Sequence, residues 1–345
     1  MKHRLFTTSE KAWDAMQASI ASAKKSVYLE MYIVGDDPKG REFLTKLEDA
    51  VKRGVRVIAL LDTVGSFTLD NDFVAHLRTA GVEVLFCSFF FQRMHRKILI
   101  IDESVAYIGG VNVGKNYARW KDLQVEVRGA VVQTILRSFI RMYRRCGGKG
   151  EFEDVSTSPG PMRKAKLWFI DHGIGKRREQ FREYYTKKLS QAKSSIILVT
   201  PYLLPPRWLI AQLHQAIIRG VSVEIVLPEY TDYRIVNGVN RSFASFLNSA
   251  GARCYFVRGM NHAKAMVVDG KEAVVGSQNL DRLSFNWNIE AGIFFSEPDM
   301  VQDLVAVIDE WKKDAHVLEK GEVTFRWYDF PVASLLRLFG FLPLF

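Results

Sequence analysis

The first apolar pattern along the chain is helical. Trp13, Met16 and Ile20 recur at the three- to four-residue spacing of one helix face. Thr7 and Glu10 stand just before this face and predict a capping box at the start of the helix. The chain therefore opens with a predicted amphipathic helix.

Strand-like and helical segments then alternate. Runs rich in Val, Ile, Leu and Tyr, such as SVYLEMYIV and VRVIALLD, are typical of strands, and the segments between them have helical spacing. The predicted elements are a strand at 26–34, a helix at 40–53, strands at 55–62 and 82–86 with a helix at 71–80 between them, and a hairpin at 97–110. This alternation predicts an α/β sandwich.

The strand at the start of that hairpin breaks the apolar pattern with ionisable groups at both ends. It reads HRKILIID at 95–102, and HAKAMVVD at 262–269 repeats the same spacing of histidine, lysine and aspartate. Each copy is followed by a glycine-containing tetrapeptide that ends in asparagine, GGVN at 109–112 and GSQN at 276–279. The six motif residues are His95, Lys97, Asp102, His262, Lys264 and Asp269.

The repeat extends well beyond these motifs. Further pairs of similar segments, such as AVKRGVRVIALLD and AIIRGVSVEIVLP, also lie about 167 residues apart. We therefore predict one fold present twice. The predicted divisions are a first domain at 1–148, a Gly-, Pro- and Ser-rich linker at 149–163, a second domain at 164–320 and an apolar tail at 321–345.

Composition narrows the choice of partner. The net charge of +10 and a pI near 9.4 favour an anionic partner, either nucleic acid or an anionic membrane surface. The three cysteines, Cys87, Cys146 and Cys254, are odd in number and far apart, which predicts neither a disulfide framework nor a zinc site and favours a reducing compartment. No signal peptide and no membrane-spanning run of about 20 apolar residues is visible.

The doubled motif suits phosphoryl transfer. Residues i and i+2 of a strand share a face, so each histidine points the same way as its lysine. Gly109 and Gly276 permit close approach to the backbone, and Asn112 and Asn279 offer amide donors. If the halves pack about a pseudo-twofold axis, one histidine can attack phosphorus while the other protonates the leaving oxygen. This chemistry requires no metal and no cofactor.

These residues resemble the phospholipase D superfamily, with both His-Lys-Asp motifs complete. The resemblance implies two tandem phospholipase D-like α/β/α sandwich domains with the active site at their interface, so that a monomer suffices for a complete site. It also implies a phosphohistidine intermediate, with His95 as the expected nucleophile, and phosphate held by Lys97, Lys264, Asn112 and Asn279. Asp102 and Asp269 belong to the motif, and we expect structural support from them. Asp122 and Glu290 match the family's histidine-orienting carboxylates.

Longer stretches, including HRKILIIDESVAYIGGVNVGKNY and GSQNLDRLSFNWNIE, resemble bacterial cardiolipin synthase. That resemblance implies transfer of a phosphatidyl group from one phosphatidylglycerol to another, with release of glycerol. It also implies an anionic phospholipid membrane as partner, with no obligatory nucleic acid, and peripheral attachment to the cytoplasmic face of a bacterial membrane. The alternatives are a phospholipase D-type hydrolase, a nucleic-acid phosphodiesterase and a non-catalytic lipid-binding scaffold.

Two apolar segments keep two interpretations each. The tail at 329–345 either lies in a membrane interface or packs on the protein's own core. The segment SFFFQRMHRK at 88–97 is either a lip that dips into lipid or a strand end followed by a basic turn. Trp287 either lines the substrate cleft or belongs to the core.

Overall fold

The computed structural model describes residues 3–90, 92–152, 166–173, 179–319 and 322. The elements of the first half are β1 (Arg4–Thr8), α1 (Ser9–Ser22), β2 (Ser26–Met31), α2 (Pro38–Lys52), β3 (Arg56–Asp62), α3 (Asn71–Thr79), β4 (Glu83–Cys87), β5 (Lys97–Ile101), β6 (Val105–Gly109), a 3-10 turn (Lys115–Tyr117), β7 (Lys121–Arg128) and α4 (Ala130–Arg145).

The second half repeats the alternation. Its elements are β8 (Leu167–His172), α5 (Gln180–Gln191), β9 (Ser195–Val199), β10 (Leu203–Leu204), α6 (Arg207–Ile218), β11 (Ser222–Pro228), α7 (Arg234–Ser249), β12 (Arg253–Val257), β13 (Ala265–Val268), β14 (Glu272–Gly276), β15 (Leu280–Asp281), α8 (Arg282–Asn286), β16 (Glu290–Phe295), α9 (Pro298–Lys313) and β17 (His316–Val317).

The first sheet has seven strands in the order β1-β7-β6-β5-β2-β3-β4. Strands β2, β3 and β4 are parallel, β5 is antiparallel to β2, and β5 forms the predicted hairpin with β6. Because Lys97 pairs with Met31, β5 begins at the edge where the parallel strands end. The first motif is therefore placed at the carboxyl edge of this sheet.

Helices cover both faces of this sheet. On β2, Leu29 and its neighbours at i±2 lie in the same core cluster as Trp13 of α1 and Phe43 of α2. Tyr28, which points the other way, stacks on Phe139 of α4 with ring centroids 5.2 Å apart. Because apolar side chains are buried on both faces, β2 reads as a continuous run rather than an alternating one. The predicted α/β/α sandwich is confirmed.

The second sheet has eight strands in the order β17-β12-β11-β9-β13-β14-β16-β8. Taken from β8, this order matches that of the first sheet strand for strand, with β17 added at the far edge. The two sheets thus confirm the internal repeat. In both, the strand that carries the motif lies antiparallel beside the first parallel strand, β5 on β2 and β13 on β9.

The chain groups into two compact units that do not follow a single cut in the sequence. The first unit contains Met1–Arg177 together with Val275–Ser277 and Trp287–Phe294, and the second contains Arg178–Val274, Gln278–Asn286 and Phe295–Phe345. Two short segments from the second repeat, one of which includes Glu290, therefore belong to the first unit. Residues 153–163 of the predicted linker lie outside the described residues, so its bounds stay a prediction.

Two local predictions are wrong. Helix α1 is capped by Thr8, whose hydroxyl accepts the backbone N–H of Lys11 at 3.4 Å. Thr7 instead belongs to β1, which pairs with β7 and extends through Thr8. The chain also contains a disulfide between Cys87 and Cys146, which the sequence analysis did not predict, so the cysteine argument for a reducing compartment loses its basis.

Two further predictions concern membranes and the core. Among the residues described, no helix has the length and apolarity to cross a bilayer. Apart from Glu322, the apolar tail at 321–345 lies outside the described residues, so its two interpretations stay open. Trp287 is half exposed, which excludes the core interpretation for this residue.

Candidate active site

His95 is held on both sides of its backbone. Its N–H donates to the carbonyl of Ile289 at 2.9 Å, and the Ile289 N–H donates to the carbonyl of Arg93 at 2.8 Å. The N–H of Met94 donates to Oδ2 of Asp62 at 2.7 Å. A buried carboxylate and a short bridge to residue 289 therefore fix the backbone beside the histidine.

The His95 ring contacts a buried carboxylate. Its Nδ1 lies 3.0 Å from Oε2 of Glu290, which is fully buried. Ser277 donates its hydroxyl to the same carboxylate oxygen. Burial raises the pKa of Glu290, but His95, Lys97 and Ser277 outweigh that effect, and the pKa is lowered below its usual value. Glu290 is thus ionised at neutral pH, and its carboxylate can accept a hydrogen bond from a proton on Nδ1 of His95. Its role in orienting the histidine stays a prediction.

Lys97 lies on the same face as His95, as strand geometry requires. Its ammonium donates to the backbone carbonyl of His95 at 2.7 Å and lies 4.8 Å from the centre of the Tyr32 ring. The Tyr32 ring also meets the imidazole edge-on, with centroids 4.6 Å apart. Lys97 is fully buried. The first unit therefore assembles an imidazole, an ammonium group and a carboxylate within a few ångströms.

The second unit repeats the local arrangement around its own motif. The ammonium of Lys264 donates to the backbone carbonyl of His262 at 2.5 Å, and both side chains are buried. The ring of Tyr202 meets the His262 imidazole edge-on at 6.2 Å. Burial and the hydrogen bond to Asp232 raise the pKa of Tyr202, so its hydroxyl stays protonated.

Gly109 and Gly276, which follow the two motifs, permit the close backbone approach that the sequence predicts. A Cβ atom on Gly109 would lie 2.1 Å from the carbonyl oxygen of Leu123, and one on Gly276 would lie 2.5 Å from that of Ala291. A Cβ on Gly110 would lie 2.4 Å from Oδ1 of Asp122. Close approach of the next strand therefore requires glycine at these positions.

The two motif asparagines are buried near the ends of these turns. The indole N–H of Trp13 donates to the backbone carbonyl of Asn112 at 2.9 Å, and the Asn279 N–H donates to the hydroxyl of Ser284 at 3.3 Å. Within the part of the chain that the structure describes, Oδ1 of both asparagines has no hydrogen-bond partner. Buried polar side-chain atoms without a partner are rare in folded proteins. Since Oδ1 is an acceptor, only the amide nitrogen of each asparagine could donate to a phosphoryl oxygen.

The aspartates of the motif lie at the other end of their strands. In an extended chain the seven steps from His95 to Asp102 span about 23 Å. The Asp102 carboxylate accepts the backbone N–H groups of Lys24, Lys25 and Ser26 at 2.7–3.1 Å. Asp269 accepts the corresponding groups of residues 193–195 at 2.7–3.1 Å. Partial burial raises the pKa of each aspartate, but the backbone N–H donors outweigh this effect and the pKa is lowered below its usual value. Both carboxylates therefore anchor a turn rather than contact a histidine.

Asp122 is the other carboxylate that we predict to orient a histidine. It is fully buried, and its Oδ1 accepts the N–H of Leu123 at 2.7 Å. Its role stays a prediction.

A buried ion pair lies under the first motif. Arg96, between His95 and Lys97, points to the opposite face of β5, where its Nε is 2.8 Å from Oε2 of Glu30. Both side chains are fully buried. Burial raises the pKa of Glu30 to about 7, against the opposing effect of Arg96. Sequence reasoning missed this pair, as well as Tyr32, Asp62 and Ser277, because only the fold brings these residues to the motif.

Solved structures of other proteins share the fold of this chain. A solved structure of phosphatidylserine synthase from Haemophilus influenzae Rd KW20 superimposes with a TM-score of 0.74 at 16% identity, over 98% of this chain and 92% of that one. Polyphosphate kinase from Porphyromonas gingivalis gives a TM-score of 0.65 at 14% identity, over 97% and 53%. At these identities the likeness concerns the fold alone. With the doubled His-x-Lys strands, the fold defines an enzyme of the phospholipase D superfamily.

Sequence comparison gives the family. The family model described as "Cardiolipin synthase, PLD-like domain" matches residues 16–143 and again 185–311. Cardiolipin synthase of Geobacillus sp. (strain WCH70) is 30% identical over 92% of this chain and 67% of the relative. Major cardiolipin synthase ClsA of Bacillus subtilis (strain 168) is 31% identical over 89% and 68%. The chain belongs to this cardiolipin synthase family, whose members are phosphatidyltransferases, and spans about two thirds of the length of these relatives.

Proposed function

We propose that this enzyme makes cardiolipin from two molecules of phosphatidylglycerol and releases glycerol. The observation that carries the proposal is the contact between Nδ1 of His95 and the ionised Glu290. A carboxylate on Nδ1 leaves Nε2 as the nucleophilic nitrogen of the ring. Similarity to proteins named cardiolipin synthase supports the choice of lipid.

In the first step, Nε2 of His95 attacks phosphorus and the bond from phosphorus to the headgroup glycerol oxygen breaks. His262, protonated, gives its proton to that oxygen, and glycerol leaves. The product is a phosphatidyl group bound to His95 through a P–N bond. Lys97, Lys264, Asn112 and Asn279 hold the phosphoryl oxygens, and Asp122 supports the second histidine as Glu290 supports the first.

In the second step, a terminal hydroxyl of another phosphatidylglycerol transfers its proton to His262 and attacks phosphorus. The P–N bond breaks, and His95 is restored as a neutral imidazole. The same site with water as acceptor releases phosphatidic acid, which is the phospholipase D-type alternative. We further propose that the protein works at the inner face of a bacterial membrane.

The test is an incubation of the purified chain with phosphatidylglycerol vesicles, with products resolved by lipid mass spectrometry. Cardiolipin and glycerol in equal amounts are expected, with loss of both in His95→Ala. His214→Ala, which removes an exposed histidine of α6, is the matched control and retains activity. Formation of phosphatidic acid without cardiolipin would show that the enzyme is a phospholipase D-type hydrolase. Hydrolysis of an oligonucleotide but of no phospholipid would overturn the proposed function.

The covalent step has its own test. Because His262 acts in both steps, His262→Ala is mixed with a phosphatidyl p-nitrophenyl ester, whose leaving group needs no proton. The intermediate then forms while its breakdown stays slow, so intact-protein mass spectrometry is expected to find a phosphatidyl adduct. The adduct on a histidine is lost in acid and retained in base. An adduct that persists in a His262→Ala, His95→Ala double variant would place the nucleophile elsewhere.

A further inference from the structure

Two phenylalanines of the first unit project into solvent. Phe67 is 77% exposed and Phe90 is 89% exposed, and Val64 is about half exposed. Large apolar side chains exposed to this degree have no role in the core. Together with Val64, they form what we call the apolar rim.

The apolar rim lies at the edge of the sheet that carries the motif. Val64 and Phe67 follow the end of β3, and Phe90 follows the end of β4. Since β2, β3 and β4 are parallel neighbours, their carboxyl ends share one edge, and β5 begins at that edge with Lys97. The rim therefore belongs to the loops that surround the first histidine.

The loops of the rim are fixed at their bases. Oδ1 of Asp62 accepts the N–H groups of Val64 and Gly65 at 2.9 and 2.8 Å, while its Oδ2 binds the N–H of Met94. One carboxylate thus joins the loop of Val64 to the residue before His95.

The base of the second loop is held by α4. The disulfide from Cys87 to Cys146 ties the end of β4 to the end of this helix. The guanidinium of Arg145 stacks over the ring of Phe89 at 4.3 Å and donates to Oε1 of Gln92 at 2.7 Å. Phe90 lies between Phe89 and Gln92, which both contact Arg145, and its own ring is exposed to solvent.

Cations accompany the rim. Lys115 and Arg119 are exposed on the segment after β6, which ends at the same edge. Among the acidic side chains nearby, Asp37, Asp62 and Asp70 direct their carboxylates to backbone N–H groups. Asp36 is paired with Arg41, and Asp72 is exposed. The edge therefore combines protruding apolar groups with positive charge.

The second unit also exposes apolar side chains at its own motif edge. Tyr233 and Ile235, 60% and 67% exposed, follow β11, and Leu283, also exposed, belongs to α8. Ile218, by contrast, is exposed at the end of α6, beside the start of β11 and so at the opposite edge.

We propose that the apolar rim inserts into the interfacial region of an anionic phospholipid bilayer and so holds the first site at the membrane surface. This rests on the proposed function, which requires a substrate that resides in a bilayer. Two or three isolated side chains, each offering about 150–250 Å², fall short of the roughly 800 Å² per partner of a stable protein interface. A bilayer accepts separate apolar tips flanked by cations without such a continuous patch.

The test compares vesicle binding of the full chain and its Phe67→Ser, Phe90→Ser double variant by co-sedimentation. The vesicles contain phosphatidylcholine alone or mixed equally with phosphatidylglycerol. Binding of the double variant to mixed vesicles is expected to fall about a hundredfold, since burial of each phenylalanine contributes about a tenfold factor. A Phe67→Leu, Phe90→Leu variant, which keeps apolar tips, retains most of the binding, and Ile218→Ser is the matched control that retains all of it.

Activity separates this proposal from the proposed function. On monomeric short-chain phosphatidylglycerol, the serine double variant is expected to turn over as fast as the unaltered chain, because the rim does not belong to the catalytic machinery. Unchanged vesicle binding in this variant would overturn the docking surface even if cardiolipin is made. If vesicle binding depends on the rim but the chain makes no cardiolipin, the membrane-binding role of the rim would be supported and the proposed function would be overturned. Equal loss of oligonucleotide binding and vesicle binding would overturn the lipid assignment.

Discussion

The replacement Glu290→Gln tests the proposed role of the buried carboxylate. Glutamine has nearly the same shape, so the fold is preserved while the negative charge beside His95 is removed. In the unaltered enzyme this charge stabilises the imidazole ring as it gains positive charge on attacking phosphorus. The variant is therefore expected to lose rate at the chemical step.

The size of the loss follows from the contact. A hydrogen bond to a charged group contributes about 1.5–3 kcal/mol, and two unit charges about 4 Å apart interact by about 4 kcal/mol at an effective dielectric constant near 20. These are overlapping measures of one interaction, so we expect a loss of about 2–4 kcal/mol. At 1.36 kcal/mol per factor of ten, kcat falls about 30- to 1000-fold. KM changes little, because Glu290 acts through His95.

The assay measures the rate of cardiolipin formation over a range of phosphatidylglycerol concentrations. Ser277→Ala, which removes one donor to the carboxylate, is expected to have a smaller effect than Glu290→Gln. Glu310→Gln, on the exposed face of α9, is the charge-matched control. Retention of kcat within threefold in Glu290→Gln, with the fold intact, would refute the assignment of this carboxylate.

Three further outcomes are expected. Asp102→Ala lowers the free energy of unfolding by about 1–3 kcal/mol, because three backbone N–H groups lose their acceptor; urea unfolding measures this, and an unchanged midpoint would contradict it. Folding lowers the pKa of Asp102 and Asp269 below the usual 3.8. Their contribution to stability is therefore complete above that pH and is lost as the pH falls through the lowered pKa values. Urea unfolding midpoints measured across acid pH are expected to show this loss. The rate of cardiolipin formation is bell-shaped in pH if one histidine acts neutral and the other charged, whereas a monotonic profile would count against two histidines.

Several features of the fold could be predicted from the sequence because they repeat. The internal duplication predicts two sheets of the same strand order, and the motif spacing places each histidine and lysine on one face of a strand. The requirement for glycine at Gly109 and Gly276 follows from the same pattern. Periodicity depends only on residues that are close in sequence, and the repeat is found by comparing two such segments. Neither requires knowledge of how distant parts of the chain pack.

Other features arise only from long-range packing. The disulfide joins Cys87 and Cys146, 59 residues apart, and no spacing rule predicts that pairing. Asp62 binds Met94, and Tyr32 meets His95, because neighbouring strands end at one edge of the sheet. The buried pair of Arg96 and Glu30 was missed because two charged residues inside apolar runs give no periodic signal. The N-cap at Thr8 was misplaced by one residue because strand β1 extends into the predicted cap.

The pairing of His95 with Glu290 has a consequence for how this protein can be divided. The histidine comes from the first repeat and its carboxylate from the second, although both belong to one compact unit. A chimera that joins the first half of this chain to the second half of a relative would inherit the relative's carboxylate, serine and backbone bridge at 289. Exchange of halves between family members therefore also exchanges residues 275–277 and 287–294. A crossover placed in the linker would separate His95 from the carboxylate and the backbone bridge that hold it.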